Sequence, residues 1–258
     1  MSTTLSKAPE GDEAFYLERL AEVRASTGLQ LDMYEGLLVR RNTEDRKMVR
    51  DALYEDYPYA NCKDHIVLDL GGHVGGFTKR ALMDDALTVY TVEPWPPNRQ
   101  ILELNFDEHP RVSIMPIAIA PTPTVTLSIP ADRSTGGVSG FINHKCPTQQ
   151  VEVEARTVES LVAELKPTFL KVDIEAAEWS VFPCNIDGVK EICGELHTMS
   201  RGNRQKAFEF LAWLEQIGFT ITFLVGGPQS NYGRIMYMNF HATRKSGLPP
   251  KKAMKKDD

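Results

Sequence analysis

"DLGGHVGGFT", residues 69–78, decides the fold. Four glycines, at 71, 72, 75 and 76, fall within six positions directly after the apolar run "HIVLDL". A short apolar run closed by turn residues reads as a buried strand. The stretch "FTKRALMDDA" behind the glycines has helical composition. Strand, glycine turn and helix in that order make a phosphate- or nucleotide-binding corner. The helix start offers free backbone N–H groups, and glycine lets a ligand approach the main chain.

Working outward, strand-like runs recur with helical segments between them: "IVLDL", "TVYTVEP", "VSIMPIAIA", "FLKVDI", "EICGEL", "FTITFLV" and "RIMYMNFHA". This alternation predicts an α/β, Rossmann-like fold: a seven-stranded, mostly parallel sheet with helices on both faces. "VTLSIP" and "VEVEART" alternate apolar and polar residues around the glycine-rich loop "DRSTGGVSGFINHKCPTQQ", which predicts an inserted antiparallel β-hairpin. Residues 12–58 read as two amphipathic helices. Phe15, Leu17, Leu20 and Val23 form the stripe of the first, and Thr43 caps a second that buries Met48, Leu53 and Tyr54. The expected organisation is a disordered start over 1–12, N-terminal helices packed on the core over 13–60, one catalytic-type domain over 61–243, and a flexible tail over 244–258.

Composition narrows the function classes. The chain has 258 residues, enough for one well-buried α/β domain, with 42% hydrophobic and 25% charged residues. A net charge of −6 argues against a phosphate-neutralising surface, so duplex nucleic acid is not an expected partner. No apolar run approaches the length of a membrane span, and the N-terminus lacks a secretory pattern. Cys62, Cys146, Cys184 and Cys193 follow no metal-ligand spacing and read as reduced thiols of a cytoplasmic protein. Oligomeric state is left open.

Three nucleotide readings compete for the glycine turn. A Walker A loop requires Gly-Lys-Ser/Thr, which is absent. A dinucleotide fingerprint requires a second glycine where His73 stands. What remains is Asp69-x-Gly71-x-x-x-Gly75, with Glu93 ending the next strand 22 positions after Gly71. A carboxylate there accepts hydrogen bonds from both hydroxyls of an unphosphorylated ribose.

The segment Asp69 to Gly75 resembles the first motif of class I S-adenosylmethionine-dependent methyltransferases. Four stretches in order, "VLDLGGHVGGFT", "TVEPWPPNRQILELN", "TVESLVAELKPTFLKVDIEAAEWSVF" and "CGELH", are similar to the FkbM-type methyltransferase domain over about residues 66 to 225. Gly72 and His73 replace the family's usual Ala-Asn, Trp95 its common Asn, and Ala176 its usual Gly. The resemblance implies that Asp69 and the turn Gly71, His73, Val74 and Gly75 cradle the amino-acid end of S-adenosylmethionine. It also implies that Glu93 and Pro94 face the ribose, and that Trp95, Ile117 and Ala118 face the adenine.

Ligands of open α/β sheets bind at the carboxyl ends of the strands. "KVDIEAAEW" and "GELH" bring Lys171, Asp173, Glu175, Glu178, Glu195 and His197 to those ends. Asp173, Glu195 and His197 are the candidate catalytic residues. One of them acts as general base on an acceptor hydroxyl, or the three hold Mg or Mn. Lys171 and Glu178 read more simply as structural, with Glu178 capping a helix or facing solvent. His144, in the hairpin loop, is a weak candidate over the acceptor pocket, and His109 reads as surface. The resemblance implies O-methylation of a small-molecule or glycan acceptor. N-methylation of an amine or peptide side chain, and an inactive cofactor-binding partner subunit, are the alternatives.

Overall fold

The computed structural model describes residues 13–130, 148–175, 177–198, 200–226 and 236–244. The run before the glycines is strand β3 (Ile66–Leu70), buried along nearly its whole length because helices cover both of its faces. Around it lie β4 (Thr88–Val92), β5 (Val112–Met115), β9 (Phe169–Val172), β10 (Glu191–His197), β11 (Phe219–Gly226) and β12 (Tyr237–Arg244), in the order β11-β12-β10-β9-β3-β4-β5. β5, β4, β3, β9 and β10 run parallel, and β12 is antiparallel to both of its neighbours. The seven-stranded, mostly parallel sheet expected from the sequence is present. From β3 the chain steps outward one way to β4 and β5, then returns to start β9 on the other side. The crevice at this reversal, between the ends of β3 and β9, is where such sheets bind ligands.

Helices α3 (Gly76–Met83) and α4 (Pro96–Phe106) follow β3 and β4; α5 (Val158–Leu165) and α7 (Arg201–Gln216) cover the opposite face, with the one-turn α6 (Glu178–Val181) between them in the chain. Leu68, Leu70, Leu170 and Val172 pack with Leu161, Phe210 and Leu214 on that face; Val67, Phe169 and Cys193 pack with Phe77, Ala81 and Tyr57 on the other. The two faces differ in polarity. Thr91, Asp69, Lys171, Cys193 and His241 are successive register partners across five strands, a row of polar and sulfur-bearing side chains on one face of the sheet.

The N-terminal segment departs from the two expected helices. Between α1 (Glu13–Thr27) and α2 (Asp45–Arg50) the chain forms a hairpin, β1 (Leu31–Tyr34) and β2 (Leu37–Arg40). Its two turn residues, Glu35 and Gly36, both take positive φ, at 49° and 67°, matching the right-handed twist of the paired strands. Leu20 and Val23 are buried as expected, but Leu17 is 57% exposed. On the second helix Leu53 is buried with Val49, while Tyr54 is 55% exposed and hydrogen-bonds Glu35. Thr43 accepts from the Asp45 N–H, but the helix N-cap is Glu44. α2 continues through a wider helical turn, Asp51–Glu55, into a segment that crosses the polar face of the sheet toward β3.

The expected hairpin is present as β7 (Thr124–Pro130) and β8 (Thr148–Arg156). The run "VSIMPIAIA" does not stay one strand. Pro116 has no N–H to give, and after it a short β6 (Ala118–Ile119) pairs with β8 instead. The hairpin loop with His144, Cys146 and most of 132–148, and the tail past Arg244, lie outside the described residues.

Candidate active site

The glycine turn is shaped by its neighbours. Gly71 has φ +94°, and a Cβ on it would stand 1.9 Å from the carbonyl oxygen of Asp173, so the cofactor turn and the loop after β9 touch backbone to backbone. Gly75 has φ +102°, and a Cβ there would meet the Phe106 ring at 2.2 Å. Asn105, buried at the end of α4, accepts from Leu38 N–H and donates to the carbonyls of Leu38 and Val74. The asparagine closing the second motif therefore joins the cofactor turn to the N-terminal hairpin.

Glu93 follows β4, 5% exposed. Its Oε2 accepts the His73 N–H at 2.7 Å and its Oε1 the Trp95 N–H at 2.8 Å. Burial pushes its carboxyl up to about 7, against the pull of those two donors and of Lys171. Each oxygen keeps lone-pair capacity for a further donor. Both His73 ring nitrogens are buried without a hydrogen-bond partner, and burial holds its pKa down at about 4. His73 lies 3.9 Å from Asp45, a fully buried carboxylate gripped by Arg40 through two side-chain bonds; Arg40 also donates to Asn98 on α4. Pro94 is half-buried, and Val74 is buried against the N-terminal cluster. Trp95 is 5% exposed and packs with Leu127 and the hairpin valines. Ile117 and Ala118, both buried, follow Met115, whose carbonyl accepts the Glu93 N–H.

Asp69 is fully buried beneath the turn. It takes hydrogen bonds from Thr78 and Thr91 and pairs with Lys171 Nζ at 3.2 Å. Lys171 also donates to the Gly71 carbonyl at 2.6 Å and stands 3.6 Å from Asp173. Burial works against its charge, but Asp69 and Asp173 outweigh it and raise its pKa. Lys171 thus ties the first motif to the third.

Beyond β9 and β10 lies a carboxylate cluster around one histidine. His197 Nδ1 lies 3.1 Å from Glu178, and Nε2 is 3.3 Å from Glu175 and 3.4 Å from Glu195. Glu178 is fully buried and also accepts the Ile174 N–H, so it neither faces solvent nor merely caps a helix; it fixes the imidazole. Burial disfavours the His197 cation, yet its bonds to Glu175 and Glu178 raise its pKa well above the usual value. Burial raises Asp173, opposed by Lys171 and His197; burial and then the charge of Asp173 push Glu195 up to about 9. Glu175 moves the other way: its bond to His197 outweighs burial. Of the expected trio, Glu195 and Asp173 flank His197, but the atoms best placed for a metal belong to Asp173, Glu175 and His197, all within 4.8 Å of one another.

A family model described as the methyltransferase FkbM domain matches residues 69–221, more than half of the chain. The chain belongs to the FkbM methyltransferase family. It is an S-adenosylmethionine-dependent methyltransferase. No curated protein matches it. Among solved structures it is similar to a ribosomal protein L11 methylase from Lactobacillus delbrueckii subsp. bulgaricus, at 12% identity over 83% of this chain and 84% of that one, TM-score 0.46. It is also similar to a candidate hemolysin from Streptococcus thermophilus (14%, 81% and 70%, TM-score 0.46) and to a precorrin-6y C5,15-methyltransferase from Geobacter metallireducens GS-15 (14%, 83% and 93%, TM-score 0.42).

This FkbM methyltransferase brings further residues to the site that sequence reasoning missed. Tyr57, 4% exposed, donates to Asp173 at 3.3 Å, and Asn239 donates to Asp56 at 3.1 Å. Both Asp56 and Tyr57 come from the segment crossing the sheet, far from any motif. Asn239 sits opposite Glu195 in the β10–β12 register, a pairing that only the assembled sheet creates.

Proposed function

We propose that this FkbM methyltransferase methylates a hydroxyl on a sugar or secondary-metabolite acceptor, with Asp173 as general base. The observation that supports it most is the placement of Asp173. It leaves β9 at the sheet's reversal point, its carbonyl lies against Gly71 of the cofactor turn, and its carboxylate lies beside the Tyr57 hydroxyl and Lys171. The two spare acceptors of Glu93 suit the ribose hydroxyls, and the unpartnered ring nitrogens of His73 suit the polar methionine end. S-adenosylmethionine supplies a methyl group activated on a sulfonium. The chain's own task is to hold the acceptor oxygen in line with that methyl, worth about 7–11 kcal/mol in favourable cases, and to take the hydroxyl proton. Asp173 takes it at its carboxylate, where the Lys171 charge and the Tyr57 hydroxyl stabilise the ionised form beforehand. No helix among the described residues is long and apolar enough to cross a membrane, and the net charge of −6 disfavours duplex nucleic acid, in keeping with a small acceptor.

The test is Asp173→Asn, which keeps shape and removes charge. Calorimetry should show unchanged cofactor affinity, and turnover of labelled methyl groups should fall at least about a hundredfold. Near-normal turnover would remove Asp173 from the chemistry.

The 4.8 Å grouping of Asp173, Glu175 and His197 favours a second reading, in which these residues hold Mg or Mn. Their hard oxygens suit those ions, and Glu178 on Nδ1 leaves Nε2 facing the carboxylates, as in carboxylate–histidine–metal arrangements. An ion there would lower the acceptor pKa. Chelator should then abolish turnover and Mn2+ restore it; activity indifferent to chelator leaves Asp173 as direct base.

A further inference from the structure

We infer that the acceptor pocket contains a subsite for a protonated amine, built from Asp56, Glu195 and Asn239. The inference rests on the hydroxyl-transfer reading only in placing this subsite beside Asp173.

Three hydrogen-bond acceptors meet here from separate parts of the chain. Asn239 Nδ2 donates to Asp56 Oδ1 at 3.1 Å, which turns the amide oxygen away from Asp56. Asn239 is 5% exposed, and that oxygen, Oδ1, is buried with no hydrogen-bond partner. Glu195 is the register partner of Asn239, so both side chains leave the same face of the sheet, the face that the Asp56 segment crosses. A buried acceptor without a donor costs free energy, so the arrangement favours a ligand that donates.

Charge specifies the donor. Among the described residues, Asp56 has no cation within ion-pair distance. Lys47, whose charge reaches Asp56, is hydrogen-bonded to Asp51 at 2.6 Å. The His197 cation beside Glu195 is shared with Glu175 and Glu178, and Lys171 is held by Asp69 and Asp173. Asp56, Asp69, Asp173, Glu175 and Glu178 thus share two cations, with the Glu195 carboxyl, pushed up to about 9, beside them. An ammonium group presents three donors, no acceptor and a positive charge, matching the three acceptors and the deficit together. A neutral sugar hydroxyl has one donor and no charge to offer. The acceptor class that fits is an amino sugar or amino alcohol, with its amine on Asp56, Asn239 and Glu195 and its reacting hydroxyl toward Asp173.

Saturation-transfer NMR on the full chain with S-adenosylhomocysteine bound tests this without turnover. The probes are glucosamine against glucose and ethanolamine against ethylene glycol. The amine of each pair should take up saturation and the neutral member should not. Asp56→Asn and Glu195→Gln should each weaken apparent amine affinity at least about tenfold, as for loss of a charge-assisted hydrogen bond, with unchanged circular dichroism. Equal signals within both pairs, no signal from either amine, or variants that keep wild-type amine binding would overturn the subsite. So would Mn2+ binding that is seen by EPR on the wild type and lost in Asp56→Asn. Mass spectrometry separates the two levels. A methyl group on the nitrogen of an amine that binds here defeats the hydroxyl reading and leaves the subsite; O-methylation confined to amine-free acceptors defeats the subsite and leaves the hydroxyl reading.

Discussion

Replacing Glu93 with glutamine sets two opposing effects of one buried group against each other. The carboxylate holds two backbone N–H groups, of His73 and Trp95, at 2.7 and 2.8 Å. Glutamine keeps one acceptor and turns an NH2 toward the other donor, which leaves a buried N–H unsatisfied at about 1–3 kcal/mol. Against that, burial lifts the Glu93 carboxyl from its ordinary 4.5 to about 7, so ionising it in the folded protein costs roughly 3 kcal/mol at pH above 7. The folded state holds this proton more tightly than the unfolded chain. The cost is therefore absent below pH 4.5, grows as pH rises, and is complete above about 7. Urea unfolding of both proteins between pH 5 and 8 gives the readout. Relative to Glu93→Gln, the wild type should lose about 2–3 kcal/mol across that range, so the mutant is the weaker protein at pH 5 and draws level near pH 8. Cofactor affinity should show the reverse trend in the wild type, rising as the carboxylate forms, and should be weak and pH-independent in the mutant. Parallel stability curves across the range would refute both the burial argument and the titration built on it.

Gly71→Ala places a methyl group 1.9 Å from the Asp173 carbonyl at a backbone angle that disfavours any side chain, so we expect more than about 3 kcal/mol of lost stability and no measurable cofactor binding by calorimetry. Asp45→Asn leaves the Arg40 charge buried with a neutral partner; thermal or urea unfolding should register a loss of about 3–5 kcal/mol, far above that of an exposed ion pair such as Arg46–Asp32.

The central sheet was legible because β3, β4, β9 and β10 are short, largely buried strands whose β-branched and apolar residues alternate with helical segments, while the glycines after β3 have no other local use. The β1–β2 hairpin was hidden by length and pattern. "LDMYEGLLVR" is short, its apolar residues fit a helical stripe as well as two strands, and the deciding signal is one Glu-Gly pair at positive φ. Of the candidate site, the grouping of Asp173, Glu195 and His197 followed from strand ends alone. Lys171 was read as structural, though its exact place under the cofactor turn between two aspartates was not visible, and Glu178 was misjudged, since nothing local shows that a glutamate four residues before a Phe-Pro bond is fully buried beneath a histidine. Asp56, Tyr57 and Asn239 were invisible because their roles arise from chain crossings, and a crossing leaves no mark in a linear pattern.

The family match opens at residue 69, yet the physical unit opens earlier. A chain begun at 61 would keep every motif and strip Leu38 from Asn105, Arg40 from Asn98, and Asp56 and Tyr57 from the acceptor side. It would also uncover the apolar surface that Val49 and Leu53 close over. Residues outside the recognisable domain thus behave as an interior wall of it. Relatives that differ in their first sixty residues are expected to differ in acceptor choice while sharing one cofactor grip, because this segment, and not the motif-bearing loop, carries Asp56 and Tyr57 to the proposed acceptor side.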